Sequence, residues 1–129
     1  MIYIDSSVAL ARLLLEPRSP PERLWQEPLA SSQLLEYELW NRVHAYNLTG
    51  QLGDEVHGLL MRVGMVEMTR SVLAKALEPL PIPLRTLDSL HLATMDFLRA
   101  QGETVELASY DHRLAACAQA VGIPLAAAL

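Results

Sequence analysis

Cys117 is the only cysteine in this chain, so no internal disulfide framework is open to it and a reducing compartment is expected. Lysine is as scarce: Lys75 stands alone among nine arginines. Nowhere do apolar residues run for the roughly 18 positions that a membrane-spanning helix requires. No secretory leader is visible either. Asp5 breaks the opening apolar run, and Arg12 falls where a leader would need apolar residues. Internal repeats, low-complexity tracts and linker-like stretches are also missing. These absences point to one cytoplasmic domain over residues 1–129 with no membrane contact. Positive charge is in deficit as well. A formal net charge of −5 argues against a sequence-independent nucleic-acid coat, which would be basic.

What the sequence does hold is the balance of a folded globular protein: 51% hydrophobic residues and 19% charged ones. A chain of 129 residues is long enough to bury a proper core. Its positive charge is carried almost wholly by arginine, whose planar fork suits phosphate oxygens.

Short β-like segments alternate with helical patterns, the signature of an α/β fold with a parallel sheet. Ile2–Ile4 reads as the first strand. Asp5, Ser6 and Ser7 come next as N-cap residues for a helix over Val8–Leu15, which Pro17 stops. Pro20-Pro21 opens a short helix through Trp25, and Pro28–Ser31 is a weak second strand. A long helix spans Gln33–Leu48 and ends at Thr49-Gly50; another runs from Asp54 to Gly64. Met65–Thr69 reads as the third strand and Ser71–Leu77 as a helix. Pro79, Pro81 and Pro83 hold an extended connection. Thr86 caps a helix reaching Gln101. Val105–Ser109 is the fourth strand, Asp111–Val121 a helix closed by Gly122, and Ile123–Leu125 a short edge strand.

In open parallel sheets, ligands bind beyond the carboxyl ends of strands, near helix N-termini. Three acids fall at such places: Asp5 after the first strand, Asp111 after the fourth, and Asp88 in the first turn of its helix. Each alone has a bland reading as a cap, since a carboxylate at a helix N-terminus gains roughly 0.3–1 kcal/mol. Glu38 is different. On a helical wheel Leu34, Leu35, Leu39, Ala45 and Tyr46 share one apolar arc, and Glu38 falls inside it. A carboxylate on a buried face needs a cation, a metal or several donors. Arg42, one turn on, offers the ion-pair alternative.

Gathering these four carboxylates in one pocket is costly without a counter-charge. At about 4 Å two like charges repel by about 1 kcal/mol even in bulk water. All-oxygen donors suit Mg²⁺ or Mn²⁺, and the lack of a Cys/His set disfavours zinc. Two such ions would bring the net charge close to zero.

The same residues carry a family likeness. Met1-Ile2-Tyr3-Ile4-Asp5-Ser6-Ser7, Ser31 to Leu39, Leu87-Asp88-Ser89-Leu90-His91-Leu92-Ala93, and Ser109-Tyr110-Asp111-His112-Arg113-Leu114 with Gly122-Ile123-Pro124 stand in order along the chain. Together they resemble the PIN-domain ribonucleases, and within them the virulence-associated protein C (VapC) toxins of bacterial toxin–antitoxin pairs. The resemblance covers nearly the whole chain. It implies a three-layer α/β/α sandwich with a central, mostly parallel sheet of four to five strands. It also implies Mg²⁺- or Mn²⁺-dependent endonucleolytic cleavage of RNA by a metal-activated water, leaving a 5′-phosphate and a 3′-hydroxyl. Asp5, Glu38, Asp88 and Asp111 would hold the ions, directly or through water. Glu36 and Glu38 both lie near the family's second-acid position; the count of six from Ser32 and the buried face favour Glu38. The likeness further implies a homodimer and a cognate antitoxin that covers the site.

Supporting roles are expected for Ser6 and Ser109, as hydrogen-bond donors to the acids, and for Arg85, Arg12, Arg42 and Arg113 as phosphate contacts. His91 reads as a satisfied core histidine rather than a general base, Trp25 and Trp40 as packing residues, Asp96 as surface and Cys117 as a small buried hydrophobe. Two other readings compete. One is a PIN-fold binding or regulatory module without catalysis, which the presence of all four acids opposes. The other is a phosphoryl-accepting receiver-like domain; it lacks an acid beside Asp5, and Lys75 falls in a helix.

Overall fold

Three buried residues, Ile2, Tyr3 and Ile4, form the central strand β1 (Ile2–Ile4) of a computed structural model that describes residues Met1–Leu129. Alternation along this strand decides the architecture. Ile2 and Ile4 face one core, and Tyr3 faces the other. A strand buried on both faces needs covering on both sides. The chain supplies it in the order α1 (Ser6–Leu13), a 3₁₀ turn (Glu22–Gln26), β2 (Leu29–Ser32), α2 (Leu34–Ala45), α3 (Thr49–Met61), β3 (Val63–Val66), α4 (Arg70–Lys75), α5 (Thr86–Ala100), β4 (Glu106–Ala108) and α6 (His112–Ala120). Val8, Leu24, Leu35, Leu39, Val56 and Leu59 fill the first core. Leu92, Met95, Leu107, Leu114, Cys117 and Ile123 fill the second. This is the expected three-layer α/β/α sandwich. None of its helices is long and apolar enough to cross a membrane.

The four strands lie in the order β3-β2-β1-β4, and every pair is parallel. The chain builds outward from β1 through β2 to β3, then returns to the far side of β1 with β4. That reversal opens a crevice beyond the carboxyl ends of β1 and β4. Ile4 and Ala108 are paired across it, which puts Asp5 and the Ser109–Asp111 segment side by side.

Several boundaries differ from those read in the sequence. Thr49-Gly50 does not end a helix; it begins α3. The break lies at Asn47, whose φ of 57° puts it in the left-handed conformation that closes α2. With α3 starting early and ending at Met61, the third strand moves back to Val63–Val66 and takes in Gly64, expected to stop a helix. On α2 the buried stripe is Leu35, Leu39 and Val43. Ala45 and Tyr46 are exposed because the helix ends at that point. Thr86 is the first residue of α5 and not its cap; Arg85 occupies the cap position without a side-chain bond. The expected edge strand Ile123–Leu125 is a single bridge between Leu107 and Leu125. Leu107 N–H donates to Pro124 O at 2.9 Å and Ala126 N–H to Leu107 O at 2.8 Å. Pro124 has no N–H with which to continue a ladder.

Candidate active site

Asp5 is placed by β1 and fixed by the first turn of α1. It caps that helix in extended backbone and is only 3% exposed. Its Oδ1 accepts from Ser7 N–H at 3.1 Å, Ser7 Oγ–H at 2.6 Å and Val8 N–H at 3.4 Å, and its Oδ2 accepts from Ser109 Oγ–H at 2.6 Å. Both serines also reach the β4–α6 connection. Ser7 Oγ accepts from Tyr110 N–H at 2.9 Å, and Ser109 Oγ accepts from Asp111 N–H at 2.9 Å. The end of β1 is thus laced to the end of β4 through two hydroxyls. Burial pushes the Asp5 carboxyl above its ordinary pKa, against the pull of Ser109, Ser7, His91 and the Val8 N–H.

Asp111 caps α6, its Oδ1 accepting from Arg113 N–H at 3.0 Å and Leu114 N–H at 3.1 Å. Asp88 approaches from the first turn of α5. Asp5, Asp88 and Asp111 line one cleft of about 250 Å³ with Ser6, Ser7 and Leu10. Crowding is legible in Asp88, whose pKa is pushed up to about 6. Burial contributes most, then the charges of Asp111 and Asp5. The three acids are not yet a closed cage, since no group of three His, Cys, Asp or Glu side chains stands at ligating geometry.

Glu38 sits apart in an adjoining hollow of about 240 Å³ that shares Ser6, Leu10 and Arg42 with the acid cleft. As its wheel position predicts, it is mostly buried, at 17% exposure, while Glu36 is exposed. Its partners are Ser6 Oγ–H at 3.0 Å and His91 Nε2 at 2.6 Å. The expected alternative, an ion pair with Arg42, does not form. Arg42 is exposed, with its guanidinium 5.8 Å from the Tyr46 ring. His91 is the satisfied buried histidine the sequence suggested, at 1% exposure. Its other nitrogen meets Tyr3 OH at 2.6 Å.

Ser6 and Ser109 therefore both touch acids, as expected. Ser7 does so as well, a role its reading as a helix cap concealed. Among the arginines, Arg18 and Arg42 line the acid cleft, and Arg85 and Arg113 flank Asp88 and Asp111 in a second hollow of about 320 Å³. Arg18, which the sequence did not single out, lies over the Tyr110 ring at 4.5 Å. Arg12 is removed from the phosphate candidates: it pairs with Glu22 at 2.8 Å and stacks on Trp25 at 4.7 Å. Trp25 is buried, and Trp40 packs against His44 and His57. Neither indole is free to stack on a base. Asp96 is a surface residue beside Arg99 at 3.6 Å.

No protein-family profile matches the chain. It is 32% identical to Ribonuclease VapC47 of Mycobacterium tuberculosis, over 95% of this chain and 93% of that protein. It is 28% identical to Ribonuclease VapC35 of the same organism, over 98% and 96%. Its fold superposes on the crystal structure of Mycobacterium tuberculosis VapC20, described as a sarcin-ricin loop cleaving toxin. The TM-score there is 0.67 at 15% identity, covering 95% of this chain and 96% of that one.

Proposed function

The chain belongs to the VapC family of PIN-domain ribonucleases, and from that membership we propose that it is the endoribonuclease toxin of a toxin–antitoxin pair, cutting RNA at the β1–β4 crevice. The observation that carries this reading is the meeting of three carboxylates from three separate elements. In one cleft, burial first and then the charges of Asp111 and Asp5 raise Asp88 to about pKa 6. A fold that tolerates such repulsion has a use for the cation that relieves it.

Mg²⁺ or Mn²⁺ fits the chemistry of the cleft. Its polar walls are carboxylates, hydroxyls and the Arg18 and Arg42 guanidinium groups, without cysteine or histidine. Asp5, Asp88 and Asp111 would hold the ion, with Glu38 acting from the adjoining hollow directly or through water. Such an ion, when bound, polarises a phosphoryl group and acidifies water. The chain's own residues do the rest. The serine lacing locks Asp5 in one orientation, so no ordering remains to be done on binding. Arg18 and Arg42 on one side and Arg85 and Arg113 on the other supply positive charge against the RNA backbone. That offsets the acidic character of the whole chain where substrate must approach.

A groove of about 440 Å³ between α1 and α3 is lined by the apolar Leu13, Leu15, Trp25, Leu52 and Leu59 and by the charged Arg12, Glu55 and Arg62. It suits an apolar segment of the cognate antitoxin. Homodimer formation is part of the same reading, and light scattering of the purified chain tests it. The activity is tested with RNA, Mg²⁺ or Mn²⁺ and the Asp5→Asn variant. Cleavage by wild type that vanishes in the variant and in EDTA supports the proposal; equal cleavage by both proteins removes it.

A further inference from the structure

Asp5 and Asp111 each accept backbone N–H groups, whereas Glu38 is held by side chains alone. Behind it lies a hydrogen-bonded chain that runs into the core. Glu38 Oε1 meets His91 Nε2 at 2.6 Å, His91 Nδ1 meets Tyr3 OH at 2.6 Å, and Tyr3 OH accepts from Ser32 N–H at 3.0 Å. The two rings pack edge-on, 5.7 Å apart and at 78°. Every group in the chain behind Glu38 is buried.

The protons of this chain can be assigned from its chemistry. The Glu38 carboxylate only accepts, so the His91 Nε2 that meets it at 2.6 Å must donate, and the Tyr3 hydroxyl supplies the hydrogen on the other side. Its oxygen already accepts the Ser32 N–H, and its hydrogen goes to the neighbouring Nδ1. The ring nitrogen that carries a hydrogen is then Nε2, facing the Glu38 carboxylate. A histidine ordered in this way is a directional donor. With Ser6 on the other oxygen, it leaves Glu38 a single orientation.

We propose that His91 is a positioning residue that, backed by Tyr3, holds Glu38 in the orientation from which it serves the divalent cation of the acid cleft. This rests on the reading that those acids hold a divalent cation. A free glutamate side chain loses rotamer entropy on being fixed. Here that cost is met during folding instead of at cation binding. Loss of an outer hydrogen-bond partner of a metal ligand typically weakens metal affinity about 10- to 100-fold.

The test is titration calorimetry of Mn²⁺ into the full chain. It compares wild type, His91→Phe, His91→Gln and Tyr3→Phe, each with and without Glu38→Gln. His91→Phe keeps a ring but has no donor, and it should lower Mn²⁺ affinity on the order of 10-fold. His91→Gln, whose amide can donate from a similar place, should recover part of the loss. Tyr3→Phe should lower affinity several-fold, and it carries the test if His91→Phe does not fold. All three effects should disappear in the Glu38→Gln background, whereas general damage to the fold would persist there. Equal losses in both backgrounds, or no loss at all, overturn the positioning role. If Asp88→Asn abolishes Mn²⁺ uptake while the His91 and Tyr3 variants bind normally, the cation reading stands and this inference alone falls. If wild type takes up no Mn²⁺, the cation reading falls and takes the inference with it.

Discussion

Replacing Asp88 by asparagine should stabilise the metal-free protein while destroying its activity. The Asp88 carboxyl rises from 3.8 to about 6 on folding, so the folded state holds this proton more tightly than the unfolded chain does. The resulting penalty is absent below about pH 4, grows through the interval up to about 6, and is complete above it. At about 1.4 kcal/mol per pKa unit, a rise of roughly two units sets a ceiling near 3 kcal/mol. The side chain is partly open to water, so screening reduces this to about 1–1.5 kcal/mol. Asparagine has the same shape and no charge. In EDTA at about pH 7.5, Asp88→Asn should therefore melt about 3–5 °C above wild type. The gap should close as the pH falls towards about 4, where Asp88 is protonated in both states. Saturating Mg²⁺ should raise wild type more than the variant, reversing or erasing their order. The measurement is a thermal melt monitored by circular dichroism in a pH series, with and without Mg²⁺. A variant no more stable than wild type at neutral pH, or a gap that ignores pH, would refute the argument that burial and neighbouring charge penalise the ionised Asp88.

The same geometry sets four further outcomes. Asp5→Asn keeps the capping shape yet removes the charge, and should reduce RNA cleavage by two orders of magnitude or more, in keeping with roughly 2.7–4 kcal/mol for a preorganised electrostatic group. Expressed alone, wild type should arrest growth and Asp5→Asn should not; equal toxicity would detach the phenotype from the cleft. Glu38→Gln should weaken Mn²⁺ binding and Glu36→Gln should leave it unchanged, since Glu36 is exposed and outside the site; calorimetry giving the reverse order would move the second acid. Paired Arg85→Ala and Arg113→Ala substitutions should raise KM with little change in kcat and flatten the salt dependence of cleavage; an unchanged salt slope would show that the RNA backbone runs elsewhere.

The acids were legible in the sequence because their signals are local. Asp5 comes one residue after a strand, Asp88 lies in a first helical turn, and Glu38 interrupts an apolar face. The partners that hold each acid were harder to read. Glu38 invited a partner one turn away, Arg42, because helical spacing is the only proximity a linear chain displays. Its actual partner His91 is 53 residues distant, and only the packing of α5 against the end of β1 and β2 brings it near. Ser109 was expected to serve the acids, but which acid it meets, Asp5 from 104 residues away, was not legible; Ser7, two residues from Asp5, was hidden behind its reading as a helix cap. Their joint role needs the β1–β4 pairing to exist first. The misplaced start of α3 has a different origin: Gly50 looked like a stop, but the turn uses Asn47 in the left-handed region, which residue type alone does not announce.

The segment from Pro124 to Ala126 closes over the outer side of β4 through its two backbone bonds to Leu107. A β-sheet recruits foreign strands at whichever margin is left unzipped. Here the margin beside the acid-lined crevice is already occupied, and the opposite one, at β3, lies two strands away from it. Trimming those last residues would therefore do more than shorten a loop. It would expose a sticky rim next to the carboxylates and turn a discrete enzyme towards aggregation.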